Sequence, residues 1–313
     1  MNKNCRVCRS HGNHARYIVE EMMFGYRDRF EYFQCSSCKC LQIADIPGDM
    51  EKYYPPQYYS FTPKKRRFLG NPVDTLFRRI QNRFTIFPGG LFGRMVSTWA
   101  PNKKLSSLGI LELTKDSRVL DVGCGDGWRL YILKDLGFRT VLGIDPFLQD
   151  DIHYDNGLTI RKQSIFDVRG EWDLVMYHHS FEHVPDPQDH LQVVSQLLPT
   201  GGCCLVRTPT VSSYAWEHYR EHWVQLDAPR HYMLHSIESM GMLAEQAGFT
   251  INNIVFDSTK DQFQGSELYK RGLTLASGDK VFPASQRRLW KKQAQQMNRE
   301  RRGDQAAFYL IKK

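Results

Sequence analysis

The sequence predicts an α/β protein whose main domain is a mostly parallel sheet covered by helices, with a small cysteine-based domain in front of it. Two observations predict this architecture. From Asp116 onward, short apolar segments alternate with segments of helical spacing, which is typical of parallel strands joined by helices. Before that point, five of the eight cysteines fall within the first 40 residues. We therefore expect three regions, which cover residues 1–46, 47–115 and 116–313.

Composition and charge narrow the class of protein. Hydrophobic residues make up 41% and charged residues 24% of the 313 residues, as in ordinary globular proteins. No apolar run approaches the ~18–20 residues that a membrane span needs, and the N-terminus lacks the apolar core of a signal peptide, so we expect a cytoplasmic protein. The formal net charge of +8 favours an anionic partner, which is nucleic acid, a membrane surface or a phosphorylated small molecule.

The first region contains two Cys-x-x-Cys pairs, Cys5 with Cys8 and Cys35 with Cys38. Together they supply the four thiolates that a structural zinc ion prefers, and the residues 15–33 between them alternate like a hairpin. This spacing predicts a zinc ribbon, and four protein ligands leave no open position for chemistry. The alternative is a set of reduced thiols without a metal. Three further side chains are expected bystanders that could each replace a ligand: His11, His14 and Cys40.

Residues 47–115 contain an aromatic stretch followed by basic segments. Residues 47–63 are rich in tyrosine and proline, and we expect a linker whose rings pack on the next domain, the alternative being a ligand groove. Residues 64–67 are all basic, and residues 73–84 have the spacing of an amphipathic helix. Its apolar face consists of Leu76, Phe77, Ile80 and Phe84, and its basic face of Arg78, Arg79 and Arg83. Such a helix packs on its own domain, or else contacts an anionic membrane or phosphates.

The third region alternates regularly between the two kinds of element. The expected strands are residues 118–122, 140–144, 158–162, 173–177, 203–207, 251–256 and 306–313. The expected helices are residues 128–136, 187–198, 237–247 and the strongly basic 285–302.

Residues 119–128 carry the main functional signal. An apolar strand ends in the alternating glycines Gly123, Gly125 and Gly127, and a helical pattern follows, so backbone N–H groups are open to a ligand. The spacing is Gly-x-Gly-x-Gly and not the pyrophosphate fingerprint Gly-x-Gly-x-x-Gly. Asp121, before the turn, would repel a pyrophosphate but suits the ammonium group of a methionine moiety.

A second acid, Asp145, ends the next strand, where a carboxylate can accept hydrogen bonds from both ribose hydroxyls. The alternative for this side chain is a helix cap ahead of Pro146. Taken with Asp121, the ribose-binding acid favours S-adenosylmethionine (SAM) over a nicotinamide cofactor.

Several motifs, in the same order, resemble those of the class I SAM-dependent methyltransferases, from about residue 116 to the C-terminus. Residues 119–127 look like the first motif of that family, and residues 143–145 like the segment with the ribose-binding acid. Residues 163–167 occupy the place of the adenine-contacting segment, with Ser164 where the family commonly has an acid. Residues 173–187 are similar to the fourth strand and its loop, and residues 198–202 to the turn into strand five.

The resemblance implies a Rossmann-like, seven-stranded, mostly parallel sheet that binds SAM. The cofactor-contacting residues that it implies are Asp121, Gly123, Gly125, Asp126, Gly127, Asp145, Pro146, Ser164, Ile165 and His178.

The complete architecture resembles enzymes of bacterial polysaccharide and deoxysugar biosynthesis, among them sugar C-methyltransferases that act on nucleotide-linked sugars. In those enzymes a histidine between strand five and the next helix serves as base, in a His-x-x-Tyr-Phe-like segment. His231 takes that position within residues 223–236, although Leu234 and His235 replace the Tyr-Phe pair.

A histidine is suited to take a proton from the acceptor at neutral pH. His231 is the first candidate for this base, with Asp227 or Glu217 as the orienting acid. His179 is the second, because the loop after strand four faces the transferred methyl group in this fold. Three arginines are candidates for pairing with substrate phosphates, with ordinary surface ion pairs as the alternative. They are Arg207, Arg220 and Arg230.

Three functions compete. The leading one is methylation of a nucleotide-linked sugar or glycan precursor. The second is an RNA methyltransferase whose zinc ribbon and basic helices bind the phosphate backbone, although no RNA-binding module is recognisable. The third is a non-catalytic binding module, which the intact pair Asp121 and Asp145 argues against.

Overall fold

The computed structural model describes residues 3–55, 72–89, 93, 95, 101–278 and 281–313. The basic run 64–67 and residues 56–63 of the aromatic stretch 47–63 lie outside the described residues. The chain divides into two compact units. Unit 1 consists of Met1–Pro55, His178–Gln196 and Cys204–Lys313, and unit 2 of Pro56–Tyr177 and Leu197–Cys203.

The helices and strands of the described residues are numbered in chain order. The strands are β1 (Ala15–Glu20), β2 (Arg29–Gln34), β3 (Leu41–Ile43), β4 (Val119–Val122), β5 (Val141–Ile144), β6 (Ile152–His153), β7 (Thr159–Arg161), β8 (Leu174–His178), β9 (Cys203–Pro209), β10 (Met233–Leu234), β11 (Phe249–Phe256) and β12 (Gln305–Lys312). The helices are α1 (Pro72–Ile86), α2 (Trp128–Asp135), α3 (Pro187–Leu197), α4 (Tyr214–Tyr219), α5 (Ile237–Gln246), α6 (Asp261–Lys270) and α7 (Ala284–Arg299).

Eight strands form one mixed sheet in the order β11-β12-β9-β8-β4-β5-β7-β6. Strand β4 pairs in parallel with both β5 and β8, and β5 pairs in parallel with β7. Strand β11 pairs antiparallel with β12, and β6 pairs antiparallel with β7. The expected α/β class is confirmed, but the expected count of seven strands is wrong. The unpredicted strand, β6, has only two residues, too few to show an alternating pattern.

A second, four-stranded sheet lies in unit 1, in the order β1-β2-β3-β10. Strands β1 and β2 form the hairpin expected between the cysteine pairs, and β3 continues the sheet antiparallel to β2. Strand β10 then pairs with β3 through Met233↔Gln42 and Leu234↔Leu41. This pairing joins the segment after His231 to the N-terminal cysteine region.

The predicted elements of residues 116–313 are all observed, with ends that differ by up to three residues. The sequence missed α6, which is buried on nearly all sides and so lacks the one-sided apolar pattern of a surface helix. It also missed β3, β10 and α4, which are short.

Helix α1 forms where the basic amphipathic pattern predicts it. Its apolar side chains Leu76 and Phe77 are 60% and 58% exposed, whereas Ile86 at its end is buried. Packing of Leu76 and Phe77 on their own domain is therefore not observed within the described residues, whereas Phe84 on the same face is half-buried. None of the described helices is both long enough and apolar enough to cross a membrane.

Candidate cofactor site and histidine cluster

The glycine turn in unit 2 connects β4 to α2 with a backbone that only glycine adopts easily. Gly127 stands at the N-terminal end of α2 with φ of +66°. A Cβ atom at this position would also clash with the side chain of Ile160 on β7. Both constraints exclude larger residues, so the backbone of the turn stays open at the N-terminus of the helix.

Asp145 holds this turn in place. Its Oδ2 atom accepts a hydrogen bond from the backbone N–H of Gly125 at 3.0 Å, and its Oδ1 atom accepts one from Phe147 at 3.0 Å. The bond from Phe147 closes a turn, and no helix begins at residues 145–151, so the alternative of a helix cap does not apply to this residue. A carboxylate oxygen can accept more than one hydrogen bond, so these two bonds do not exclude a ligand hydroxyl.

Asp121 is a buried acid whose carboxylate lacks hydrogen-bond partners among the described residues. Its side chain is 1% exposed, and both carboxylate oxygens are buried without a hydrogen-bond partner among the described residues. Burial raises its pKa to about 7, with Asp145 adding to the rise and the positive charge of Arg129 opposing it. A buried carboxylate without partners is costly, so this position is suited to a cationic ligand group.

The other predicted cofactor residues occupy varied positions. Ser164 caps a short helical turn through a 3.4 Å bond from the N–H of Phe166, and Ile165 behind it is buried. Asp126 accepts a 3.3 Å bond from the N–H of Trp128 in the first turn of α2. Pro146 is exposed. His178 is the last residue of β8 and belongs to unit 1.

Two exposed aromatic side chains were not predicted as site residues. Phe147 is 63% exposed and Phe166 is 46% exposed, and each follows a predicted cofactor residue in the chain. The residue type gave no signal for this exposure, because phenylalanine is among the residues most often buried.

The four cysteines of unit 1 come together as the spacing predicts. Their sulfur atoms lie within 4.8 Å of one another, with Cys5 3.5 Å from Cys38 and Cys8 3.5 Å from Cys35. All are free of disulfides. The hydrogen bond with Cys38 lowers the pKa of Cys5 to about 4, so a thiolate is favoured at this position.

The two cysteine pairs adopt the same turn. The N–H of Arg9 bonds to the carbonyl of Cys5, and the N–H of Lys39 bonds in the same way to the carbonyl of Cys35. Both donor residues have left-handed backbones, with φ of 58° and 60°. The repeated turn and the four converging sulfurs fit a tetrahedral metal ion. Of the three alternative ligands, Cys40 is buried outside this group, and its sulfur lies 4.0 Å from Nδ1 of His235.

A histidine cluster in unit 1 surrounds Glu182, which the sequence did not single out. Glu182 is fully buried. Its Oε1 atom lies 3.2 Å from Nδ1 of His179 and 4.0 Å from Nε2 of His231, and its Oε2 atom accepts a 2.9 Å bond from the Thr208 hydroxyl. Burial raises the pKa of this carboxyl, but the His179 hydrogen bond and the histidine charges outweigh burial and hold it well below its usual range.

His231 is oriented from its other ring nitrogen. Nδ1 donates to the carbonyl of Gln225 at 2.7 Å, which leaves the lone pair on Nε2. Of the two expected orienting acids, Asp227 is the one near this ring: its Oδ2 atom lies 3.8 Å from Nε2, beyond hydrogen-bond distance, and the ring is oriented by the Gln225 carbonyl instead. The other, Glu217, forms an ion pair with Arg302 and is not part of the cluster.

His183 completes the cluster. Its Nδ1 donates to the carbonyl of Arg230 at 2.8 Å, and its ring lies 4.8 Å from that of His231, edge to face. Burial lowers the pKa of His183, and the charge of His231 lowers it further. His179 differs from the other two because both of its ring nitrogens have close partners, Glu182 and Arg207.

The expectation that Arg230 pairs with substrate phosphates is wrong. Its side chain is fully buried, and it forms ion pairs with Asp227 at 2.6 Å and Glu21 at 2.8 Å. Burial opposes its charge, but the two carboxylates outweigh burial and raise its pKa. Of the other two arginines, Arg207 pairs with Asp257 at 2.7 Å, and only Arg220 is exposed.

Comparison with known proteins identifies the domain. Residues 98–253 match the family model described as a methyltransferase domain. The ubiquinone biosynthesis O-methyltransferase of Colwellia psychrerythraea is 31% identical over 111 residues, which cover 32% of this chain and 45% of the relative. The tRNA U34 carboxymethyltransferase of Pseudomonas fluorescens is 27% identical over 203 residues, 58% of this chain and 62% of the relative. The chain thus spans about half the length of the curated relatives it matches.

Among solved structures, mycolic acid cyclopropane synthase CmaA1 complexed with SAH and CTAB has a TM-score of 0.45 and 16% identity, covering 84% of this chain and 94% of that chain. A SAM-dependent methyltransferase from Archaeoglobus fulgidus has a TM-score of 0.43 and 17% identity, covering 72% of this chain and 100% of that chain.

Proposed function

Because residues 98–253 match a model described as a methyltransferase domain, we propose that this chain is a class I SAM-dependent methyltransferase, which transfers the methyl group of SAM to a small-molecule acceptor. The observation that carries the proposal is Asp121, a buried carboxylate without a partner among the described residues, one residue before a glycine turn. That combination suits a ligand with a cationic group and leaves the backbone close to it.

The described residues of unit 2 supply the groups that SAM needs. We assign the ammonium group to Asp121 and the ribose hydroxyls to the carboxylate of Asp145. Ser164 and Ile165 are the proposed contacts of the adenine. The remaining predicted contacts, among them Asp126, Pro146 and His178, stay proposals.

Methyl transfer from a sulfonium requires the acceptor, methyl carbon and sulfur to be aligned, and the cofactor already supplies the activated methyl group. The protein must in addition receive the acceptor's proton. We propose His231 as the residue that receives it, on Nε2, because Nδ1 is committed to the Gln225 carbonyl. His179 is the second candidate, since both of its nitrogens already have partners.

The proposed acceptor is a nucleotide-linked sugar or glycan precursor. The resemblance of the four-cysteine architecture to sugar methyltransferases supports this class, as does the net charge of +8. A tRNA acceptor is the second candidate, favoured by the match to a tRNA-modifying relative over 203 residues. Helix α7 adds a basic surface with Arg288, Lys291 and Lys292 exposed.

The four-cysteine group is proposed to hold a structural zinc ion, through Cys5, Cys8, Cys35 and Cys38. The free state of all eight cysteines accords with the proposed cytoplasmic location, where thiols stay reduced.

A labelled-methyl transfer assay tests the function. The chain is incubated with SAM that carries a labelled methyl group and with three acceptor sets: nucleotide-linked sugars, small phenols and total tRNA. We expect label in a nucleotide-linked sugar, with the position of the methyl group read by NMR. Label in tRNA alone would replace the leading acceptor with the second candidate, and label in none of the three would contradict the proposal.

A further inference from the structure

The histidine cluster contains a set of donor atoms that the methyl-transfer proposal uses only in part. One donor atom from each of Glu182, His183 and His231 lies within 4.8 Å of the other two. The three come from two separate segments of unit 1, namely the turn after β8 and the loop before β10. Two histidines and a carboxylate are a ligand set that divalent transition metals bind.

The two histidines are oriented as metal ligands are. Nδ1 of His183 donates to the Arg230 carbonyl at 2.8 Å, and Nδ1 of His231 donates to the Gln225 carbonyl at 2.7 Å. A metal-bound histidine almost always donates its second ring N–H to a carbonyl or carboxylate, because this bond fixes the tautomer and the ring orientation. The lone pair of each ring is thereby placed on Nε2.

The carboxylate is held in the same manner. Glu182 is fully buried, and the Thr208 hydroxyl donates to its Oε2 atom at 2.9 Å. Its Oε1 atom faces His231 and also lies 3.2 Å from Nδ1 of His179. Asp227 adds a second carboxylate, with Oδ2 3.8 Å from Nε2 of His231, and its charge is already balanced by Arg230. A divalent cation supplies a positive charge directly to the buried carboxylate of Glu182.

We propose that Glu182, His183 and His231 bind one divalent transition-metal ion, such as Zn²⁺ or Mn²⁺. Bound ligand atoms around zinc are roughly 3.3 Å apart, given bonds of about 2.0–2.1 Å. The 4.0 Å between Nε2 of His231 and Oε1 of Glu182 must therefore shorten by a small side-chain rotation. Three protein ligands leave a position open for a further oxygen atom.

The ion gives the proposed methyl transfer a way to activate the acceptor, and this part of the inference rests on the proposed function. An acceptor hydroxyl in the open position becomes more acidic, as metal-bound water does. Its O–H bond breaks with release of the proton to solvent, and the oxygen electron pair forms the new bond to the methyl group as the methyl–sulfur bond breaks. With the ion bound, Nε2 of His231 is a metal ligand, and the acceptor's proton goes to solvent and not to His231.

Binding of Mn²⁺ to the full chain tests the site, because this ion prefers oxygen and nitrogen ligands and does not compete for the four thiolates. Free Mn²⁺ is followed by electron paramagnetic resonance during titration of the wild-type chain and of Glu182→Gln, His183→Gln and His222→Gln. The last variant alters an exposed histidine of the same unit and serves as the control.

We expect one saturable site in the wild type and in the control, with affinity at least ~10-fold weaker in each of the two ligand variants. SAM binding, measured by calorimetry, reports that the variants are folded. Absence of a saturable site in the wild type, or unchanged affinity in both folded ligand variants, would overturn the proposal. Mn²⁺ binding without methyl transfer to any acceptor would leave the metal site standing and contradict the function.

Discussion

Oδ2 of Asp145 accepts a hydrogen bond from the backbone N–H of Gly125 at 3.0 Å. The residue that we propose binds the ribose of SAM therefore also holds the glycine turn in place. The two residues stand at the ends of neighbouring parallel strands, β5 and β4. A single carboxylate therefore joins the geometry of the turn to the proposed ribose contact, and substitutions of Asp145 should affect both.

We expect Asp145→Ala to lower the stability of the protein as well as its affinity for SAM. The change leaves the N–H groups of Gly125 and Phe147 without their acceptor, at a cost of about 1–3 kcal/mol for each group that stays buried. Asp145→Asn keeps one acceptor oxygen and should cost less. Urea unfolding measures the stability, and calorimetry measures SAM affinity. Equal stability of the wild type and the alanine variant would contradict the structural role of this carboxylate.

Asp121 should make the SAM-free protein less stable as the pH rises. Its pKa of about 7 in the folded chain lies above the ordinary value of about 3.9, so ionisation opposes folding. The destabilisation should be absent below about pH 4, grow through pH 7 and then stay constant. Asp121→Asn removes the ionisation, and we expect it to be more stable than the wild type at pH 8, by on the order of 4 kcal/mol. Thermal unfolding at several pH values measures the difference, and parallel curves for the two proteins would refute it.

SAM affinity should show the opposite trend with pH, because only the ionised carboxylate of Asp121 attracts an ammonium group. Below the pKa of about 7, affinity should fall by about tenfold for each pH unit. Calorimetry between pH 5.5 and pH 8 tests this. Asp121→Asn should bind SAM weakly at every pH, and tight binding by that variant would place the ammonium group elsewhere.

The four-cysteine group should hold one zinc ion per chain that Cys8→Ser can no longer retain. Loss of the ion removes the link between the turns at Cys5 and Cys35, and the sheet β1-β2-β3-β10 should lose stability with it. Zinc content by mass spectrometry and thermal unfolding measure the two effects. Cys40→Ala is the matched control, since Cys40 is buried in the same unit but lies outside the group. The same zinc content in Cys8→Ser and in the control would argue against a metal at this position.

His231→Ala should retain SAM affinity and lose turnover by roughly 10²–10⁴-fold, as is usual when a catalytic acid–base group is removed. The loss is expected whether His231 receives the proton or binds an ion that activates the acceptor. His222→Ala, at an exposed position in the same unit, should keep wild-type turnover. Turnover with the acceptor found in the labelling assay provides the readout, and a wild-type rate in His231→Ala would move the base to His179.

Much of the fold was predictable because its signals are local. The strand β4, the three glycines and α2 follow one another within residues 119–135, and the two cysteine pairs each form a tight turn. The main site residues of unit 2, Asp121 and Asp145, follow from the same logic, since carboxyl ends of neighbouring parallel strands lie side by side. The missed elements, such as β10 and α6, are short or uniformly buried and carry no periodic pattern.

The sequence by itself determined the α/β class, the glycine turn with its two acids, and the grouping of four cysteines. Only the tertiary structure decided the partners of the histidines: Glu182 at the centre of the cluster, Asp227 beside His231, and Arg230 buried between Asp227 and Glu21. The physical reason is that spacing along the chain fixes contacts within a turn or a strand pair. Contacts between distant segments, by contrast, depend on how the folded chain packs, and burial there decides whether a charged side chain meets a substrate or an internal partner.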